Sequence, residues 1–413
     1  MKKKTVMIAA GIAALLIAAG AGGWLSVKLT ASGNKAGVDW YSESKKVYTI
    51  TTAQELFDMA KLSRYYDFAG QTFKLGKDIV MNEGAPEDWG TAMPETVWNN
   101  PIYQFAGTFD GQGHTISGVY AMGYDLAQLD HYYEKHPQVE YWSGKSLYLP
   151  TGLFAYTKDS CLIKDLNVID SVFYNWSNNG GGSIVANGAG TLDTVYSNAV
   201  VVAYWQNTGG LVGVAENGSF HLTDCWFDGE LRMEGEGRAM GGGGLIGTVK
   251  KASENTTITH CLNTANITND FITDDPRIGG FAGILQDGAH LRVEDSLSAG
   301  SITAERKDSI GTAVGRLEGS ATLAAEHAYT NLDGYPAVLG CWDGAFQSYP
   351  IGLQKACFIG DAALQWTDLD FEDHWTITED GMPQLRCFAK KTSSETTAEK
   401  AYDISWYDEG KSE

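Results

Sequence analysis

Three stretches of the chain repeat one pattern, and this repeat constrains the fold more than any other feature. They read "GGLVGVAENGSFHLTDCWFDGEL", "GGLIGTVKKASENTTITHCLNTANIT" and "GGFAGILQDGAHLRVEDSLSAGSIT". The glycines that close each GGxxG motif are Gly213, Gly247 and Gly283, and a degenerate "GTAVG" closes at Gly315. A unit of about 30 residues cannot bury a core alone, so each unit must stack on its neighbours.

The segments between these glycines predict strands rather than helices. "FHLTDCWF", "TTITHCLN" and "HLRVEDSL" alternate apolar and polar residues, and frequent glycines exclude long helices. Stacking such units in parallel, about 4.8 Å apart, predicts a parallel β-helix of eight or nine coils. One register then forms a column of inward-facing residues: Tyr196, Cys225, Cys261, Ser296 and Ala328. In this column, Cys225 and Cys261 are core residues rather than a redox pair. We expect the paired glycines at turns that need positive φ.

The repeats resemble the GLUG repeat of bacterial surface proteins, whose pattern is roughly "GGLVG…G.I.NCY..G.V". Further segments follow in the order of those proteins: "YTITTAQELFDMAKL", "FAGQTFKLGKDIVMN", "FAGTFDGQGHTISGVY", "TGLFAYTKDSCLIKDLNV" and, near the end, "HWTITEDGMPQLRCF". The resemblance covers roughly residues 48–388 and implies an all-β, right-handed parallel β-helix at a cell surface. It supplies no catalytic residues. The chain departs from the pattern at Asp224 and His260, where the repeat has Asn, and at an insertion.

The chain divides into a predicted solenoid with distinct segments at each end. Thr52 and Glu55 have the spacing of a capping box, which predicts a helix that covers one end of the solenoid. The polar "KKTSSETTAEKAYDISWYDEGKSE" predicts a disordered tail. The predicted organisation is a linker at 31–46, the β-helix at 47–388 with a capping helix region at 47–66 and a C-terminal cap at 357–388, and the tail at 389–413.

Residues 1–30 predict a membrane-targeting segment. Three lysines precede "TVMIAAGIAALLIAAGAGGWLSV", which has no charge before Lys28 and is long enough to cross a bilayer as a helix. The lysines should stay cytoplasmic, which places the solenoid outside the membrane. An uncleaved signal anchor and a cleaved signal peptide both fit this segment.

The net charge and the cysteine spacing limit which binding partners and cofactors the chain is expected to have. The net charge of −21 disfavours nucleic acid and anionic lipid surfaces. The six cysteines lack CxxC spacing, so we predict neither a zinc site nor another cofactor. An exported chain allows a disulfide between Cys341 and Cys357, and buried thiols are the alternative.

The insertion at residues 121–150 holds the candidate ligand-binding residues. Its sequence, "AMGYDLAQLDHYYEKHPQVEYWSGKSLYLP", is rich in aromatic side chains, which can stack on sugar rings when a loop displays them. The candidates are Tyr132, Tyr133, Tyr141 and Trp142. The alternative is that these rings fold back over the solenoid as a hydrophobic cover.

Two further motifs offer weaker chemistry. Asp270, Asp274 and Asp275 in "NDFITDDPR" could bind Ca²⁺ through hard oxygen ligands, but their spacing is not that of a dedicated calcium loop and fits a solvated loop better. Asp110 and His114 in "FDGQGHTISG" fit a turn, in which Asp110 accepts backbone hydrogen bonds, better than a catalytic pair.

These observations predict a membrane-anchored, extracytoplasmic β-helix that binds a glycan or another cell-surface molecule. A structural spacer and a polysaccharide-degrading enzyme are the alternatives. The repeats contain no evident pair of carboxylates on one face, so no residue is assigned a catalytic role.

Overall fold

The computed structural model describes residues 34–89, 94–123, 149–234, 240–251, 255–269, 275–305, 310–334, 337–343, 345–346, 348–377 and 381–388. The predicted anchor and tail lie outside these residues. Within them, no helix combines the length and apolar character needed to cross a membrane.

Most strands of the described chain belong to one large parallel sheet of 21 strands, which wraps around the molecule. Its strands are Val47–Ile50, Thr72–Leu75, Ile79–Val80, Ile102–Phe105, Thr108–Asp110, Thr115–Ser117, Phe154–Thr157, Leu162–Ile169, Val185–Ser197, Val212–Thr223, Trp226–Phe227, Ile246–Val249, Thr256–Thr259, Leu262–Asn263, Ala282–Leu285, His290–Ser298, Val314–Leu317, Thr322–Asn331, Leu339–Trp342, Ala345–Phe346 and Ile351–Leu353.

Two smaller parallel sheets close the remaining faces. The six-stranded sheet contains Tyr120–Ala121, Val172–Asn175, Val200–Ala203, Glu230–Met233, Asn266–Asn269 and Ser301–Ala304. The four-stranded sheet contains Thr208–Gly209, Met240–Gly243, Pro276–Gly279 and Ile310–Gly311.

The strands pair in parallel with the equivalent strands of neighbouring turns, so the chain is an all-β parallel solenoid, as predicted. It has about seven turns, fewer than the eight or nine predicted. The difference arises because the first and last strands of the large sheet have no counterparts in the two smaller sheets. The terminal turns are therefore incomplete.

The inward column exists, but Tyr196 does not belong to it. Tyr196 pairs with Trp226, which places Val195 beside Cys225. Val195, Cys225 and Cys261 are fully buried in the main core. Tyr196 lies on the outer face of the same strand, because alternate residues of a strand point to opposite faces.

The paired glycines serve close packing rather than positive φ, which corrects the prediction. None of the pairs at 209–210, 243–244 and 279–280 has positive φ. A Cβ on Gly244 would lie 2.3 Å from the Gly280 carbonyl oxygen, and one on Gly280 would lie 2.0 Å from Ser298 Oγ. Stacked turns therefore approach too closely here for any side chain.

Positive φ occurs instead at a corner of the large sheet, at residues that are not glycine. Six residues at equivalent positions have φ between 41° and 58°: Asp165, Thr194, Asp224, His260, Asp295 and His327. Each directly precedes an inward residue such as Cys225 or Cys261. Asp and His tolerate this conformation better than branched residues do, and here it aligns polar side chains along one edge.

Near the N-terminus, the region predicted as helical at 47–66 contains a strand followed by a helix. Val47–Ile50 is a strand of the large sheet, and helix α1 spans Ala53–Leu62 with the capping box between Thr52 and Glu55. The helix lies against Ile102–Phe105. Residues 34–46 do not behave as a simple linker, because three of their side chains join the main core: Ala36, Val38 and Tyr41.

The C-terminal segment packs along the flank of the solenoid, whereas the sequence predicted that it closes an end. It contains a 3₁₀ helix at Lys355–Phe358, helix α2 at Asp361–Trp366, and an antiparallel pair of strands, Trp375–Thr376 and Gln384–Leu385. Its apolar side chains form a second core with outward residues of successive turns: Tyr196, Trp226, Leu262, Leu297 and Tyr329. This outer apolar column explains why a cover is needed here.

Candidate functional site

The predicted ligand-binding residues Tyr132, Tyr133, Tyr141 and Trp142 lie outside the described residues, so their placement stays a prediction. The base of their insertion is described. Leu149 N donates a hydrogen bond of 2.8 Å to Gly123 O, which brings the two ends of the insertion together. The insertion therefore leaves and rejoins the solenoid at one place.

Aromatic residues in and directly after strands of the six-stranded sheet lie near this base. The ring centroids of Trp176 and Tyr204 are 3.7 Å apart with an interplanar angle of 10°, and Tyr120 contacts Tyr174 edge-on at 6.0 Å. All four side chains are half-buried. In this row of rings, Trp176 and Tyr204 follow two strands that pair in register, whereas Tyr120 is offset by two residues from Tyr174.

A separate cleft of about 370 Å³ lies near the N-terminal end of the solenoid. It is lined by tyrosine rings together with amide and carboxylate side chains: Tyr41, Glu43, Tyr65, Tyr66, Asp67, Phe68, Ala69, Gln71 and Gln104. We name it the tyrosine cleft. Its size falls in the range of small-molecule sites, and Tyr65 presents a ring that is 52% exposed.

Buried contacts hold the floor of the tyrosine cleft. Tyr41 donates a hydrogen bond of 2.9 Å to Gln71 Oε1, and burial raises the pKa of Tyr41 to about 12. The Tyr41 ring packs against Tyr66 with a centroid distance of 5.1 Å. Phe68 is buried with φ of 61°, a rare conformation for a bulky residue. Such strain persists only where the surrounding structure enforces it.

The polar groups of the cleft include one fixed ion pair. Lys158 Nζ lies 2.6 Å from Asp67 Oδ2, and this hydrogen bond is the main cause that lowers the pKa of Asp67. Asp67 is thus an ionised acceptor whose charge is balanced. Tyr103 is the neighbour of Gln104 in the sequence and does not line the cleft; the Arg64 guanidinium lies 4.4 Å from its ring centroid.

Of the acidic candidates, only Asp275 lies within the described residues. Its Oδ2 is 2.7 Å from Arg277 Nε and 3.3 Å from Arg316 Nη1. Both arginines also pair with Glu318, at 3.0 and 3.4 Å. The Asp275 carboxylate is therefore part of an ion-pair network, and the calcium prediction rests on Asp270 and Asp274, which are not described.

Asp110 forms the predicted turn. Gln112 N donates a hydrogen bond of 3.0 Å to Asp110 Oδ1, and Lys164 lies 3.6 Å from Oδ2. His114 does not pair with Asp110: its Nδ1 lies 3.1 Å from Asp78 Oδ1.

A second cluster lies where the C-terminal segment meets the positive-φ corner of the solenoid. His374 Nδ1 is 3.0 Å from Asp224 Oδ1, and His260 Nδ1 is 3.7 Å from the same oxygen. The two imidazole rings stack with a centroid distance of 3.5 Å and an angle of 14°. We name Asp224, His260 and His374 the corner cluster.

The sequence predictions missed both sites. The "YY" at 65–66 follows a predicted helix and contains no motif, so only the fold shows that it lines a cleft. The corner cluster carried one signal: Asp224 and His260 are the positions where the repeat departs from the Asn of the GLUG pattern. His374 gave none, since it lies 150 residues from Asp224.

No family model matches the chain, and no curated protein matches it. One solved structure is similar, described as a "putative immunoglobulin A1 protease from Bacteroides ovatus". It aligns with a TM-score of 0.51 and 15% sequence identity over 84% of this chain and 94% of that one. At this identity, the similarity supports the β-solenoid fold alone.

Proposed function

We propose that this protein is a glycan-binding module of the bacterial cell surface, and that the tyrosine cleft is its binding site. The observation that carries the proposal is the lining of that cleft, which combines tyrosine rings with amide and carboxylate acceptors. Aromatic rings stack on the apolar faces of sugars, and the polar groups around them bind hydroxyls.

The charge of the cleft favours a neutral glycan. Its lining contains Glu43 and Asp67 but neither lysine nor arginine. The side chain of Lys158 forms an ion pair with Asp67. An anionic sugar would meet the carboxylate of Glu43, and Lys158 is already paired with Asp67. A neutral oligosaccharide meets hydrogen-bonding groups only.

Binding fits the cleft better than hydrolysis does. A glycosidase needs one carboxylic acid that stays protonated to serve as general acid. The ion pair with Lys158 lowers the pKa of Asp67, which therefore stays ionised. The protease description of the similar structure is not transferred, because 15% identity supports a common fold only.

The location of the cleft suggests which glycan it meets. Residues 34–46 pack into the core beside the cleft. With residues 1–30 as a signal anchor, this end of the solenoid stands near the outer face of the membrane. We therefore propose a ligand in the envelope of the same cell, and we retain membership of the GLUG-repeat proteins as part of this proposal.

Titration calorimetry of neutral oligosaccharides against the full chain, purified in detergent, tests the proposal. Tyr65→Ala should weaken binding at least about tenfold, because an exposed ring that anchors a ligand commonly contributes more than about 1 kcal/mol. Because the Tyr65 side chain is exposed, Tyr65→Ala should leave the melting temperature unchanged. Tyr349→Ala removes a similarly exposed tyrosine elsewhere and should bind normally.

The outcomes separate the candidate functions. Binding that Tyr65→Ala leaves intact but Tyr141→Ala with Trp142→Ala abolishes would place the site on the insertion, beside the ring row of Tyr174, Trp176 and Tyr204. No binding to any neutral glycan would favour the structural spacer. Release of reducing ends would favour an enzyme.

A further inference from the structure

The corner cluster joins two parts of the chain that the repeat does not connect. Asp224 and His260 occupy equivalent positions on successive turns, and His374 belongs to the C-terminal segment. One potential ligand atom from each of the three residues lies within 4.8 Å of the others. Two imidazoles and one carboxylate are a known ligand set for zinc.

We propose that Asp224, His260 and His374 bind a divalent transition-metal ion of the Zn²⁺ class, and that the ion fastens the C-terminal segment to the solenoid. The ligand set contains nitrogen donors and a single carboxylate. Ca²⁺ and Mg²⁺ prefer all-oxygen sites, which this cluster does not supply. Three protein ligands leave a fourth position for water.

His260 is prepared to act as a ligand. Its Nδ1 is buried and has no hydrogen-bond partner among the described residues. Its other nitrogen, Nε2, faces Asp295 Oδ2 at 3.8 Å. This distance is longer than a hydrogen bond, and a proton on Nε2 would face the carboxylate and leave the Nδ1 lone pair for a metal.

Asp295 is itself fixed by the C-terminal segment. Its Oδ2 accepts a hydrogen bond of 2.9 Å from Trp375 Nε1, and its Oδ1 accepts one of 2.9 Å from Asp370 N. The carboxylate that faces His260 therefore accepts two hydrogen bonds from this segment. The site is incomplete on the solenoid alone.

The stacked rings define what binding requires. The nitrogen lone pairs lie in the ring planes, so His374 must turn out of the stack to share an ion with His260. Its side chain is 32% exposed, which leaves room for that rotation.

Calorimetric titration of ZnCl₂ into the full, chelator-treated chain in detergent tests the site. We expect one ion per chain, with affinity reduced at least tenfold by His374→Gln and by Asp224→Asn. His114→Gln is the matched control, because His114 Nδ1 lies 3.1 Å from Asp78 Oδ1 and resembles the His374–Asp224 pair. Absence of zinc binding, or equal affinity in all four proteins, overturns the proposal.

Hydrogen exchange tests the fastening role without depending on the affinity. Zinc should slow amide exchange in residues 367–377 and 381–388 of the wild type and of His114→Gln, but not of Asp224→Asn. Unchanged exchange in the zinc-bound wild type would overturn this role. Co²⁺ should bind without the charge-transfer absorption of thiolate ligands; a thiolate band would assign the metal to cysteines and overturn the site.

Discussion

The inward and outward columns of the same strands are built differently, although their residues alternate along the chain. Val195, Cys225 and Cys261 point inward and are buried by the turns themselves. Tyr196 and Trp226 point outward and are covered by the C-terminal segment. The repeat thus closes its own core but leaves its flank to a segment that does not repeat.

The inward-facing residues therefore contribute mainly to stability, whereas the specific polar contacts are found among the outward-facing residues. The inward column contains residues chosen for size, which any well-packed turn could supply. The outward side brings together groups that are far apart in sequence, such as Asp295 and Trp375. In this solenoid, the junction with a unique segment is where unusual side-chain combinations arise.

The largest expected effect comes from adjacent residues on opposite faces of one strand. Phe227→Ala should lower the free energy of unfolding by about 3–5 kcal/mol, because the ring is fully buried in the main core. Trp226→Ala should cost clearly less, because its ring is only half-buried against Phe388. Urea unfolding of both variants measures the difference, and equal losses would contradict the comparison.

A smaller change isolates the polar contact beneath the C-terminal segment. Trp375→Phe keeps a buried ring but removes the donor to Asp295, which should cost about 1–3 kcal/mol in the free energy of unfolding. Trp366→Phe is the control, since that ring is 58% exposed and should unfold like the wild type. A wild-type value for Trp375→Phe would mean that this hydrogen bond adds nothing to the docking of the segment.

The interior thiols predict how stability depends on alkaline pH. Burial raises the pKa of both Cys161 and Cys225 in the folded chain. The unfolded thiols ionise near pH 8.5, so the stability that protonated thiols provide is complete below that pH and is lost as pH rises. The slope should approach about 1.4 kcal/mol per pH unit for each thiol.

Urea unfolding at several pH values between 8 and 10 measures this slope. Cys161→Ala should make the dependence shallower. Cys387→Ala should leave it unchanged, because that side chain is exposed on the flank. Equal slopes for the wild type and Cys161→Ala would show that the buried thiol does not control this dependence.

The smallest expected effect concerns the inward column itself. Cys225→Ser should change the free energy of unfolding by less than about 1 kcal/mol, because a hydroxyl there can donate to Thr223 O, which Cys225 Sγ contacts at 3.2 Å. The equivalent Ser296 donates to Glu294 O in the same way. A loss above 2 kcal/mol would show that the turns are too tightly packed to allow this geometry.

The sequence predicted the fold well where the pattern was local. Alternation and recurrent glycines indicated stacked parallel strands because both depend on neighbouring residues. The predicted register placed Tyr196 in the inward column, one residue away from the correct residue, Val195. Val185–Ser197 is one continuous strand, and its pairing with the next turn shifts register between Gly188 and Gly190. Glycine spacing alone cannot reveal such a step.

The tyrosine cleft and the corner cluster could not be predicted from local sequence patterns, because each brings together residues that are far apart in the chain. The tyrosine cleft depends on residues 34–46 folding back onto Tyr66 and Gln71, which no periodicity encodes. Cysteine spacing left a disulfide between Cys341 and Cys357 and free thiols as alternatives; the two residues are separate thiols in the structure. The corner cluster depends on lateral docking of a segment that the sequence placed at the end of the solenoid.

The flank-bound C-terminal segment has a consequence for how such a chain can change over evolution. Its apolar side chains lie against an outer column that extends over five turns, from Tyr196 to Tyr329. Duplication or loss of one unit within this stretch would shift every later outer residue relative to the segment. A change in the number of repeats would therefore disrupt this packing, whereas a solenoid with an uncovered flank has no such contact to lose.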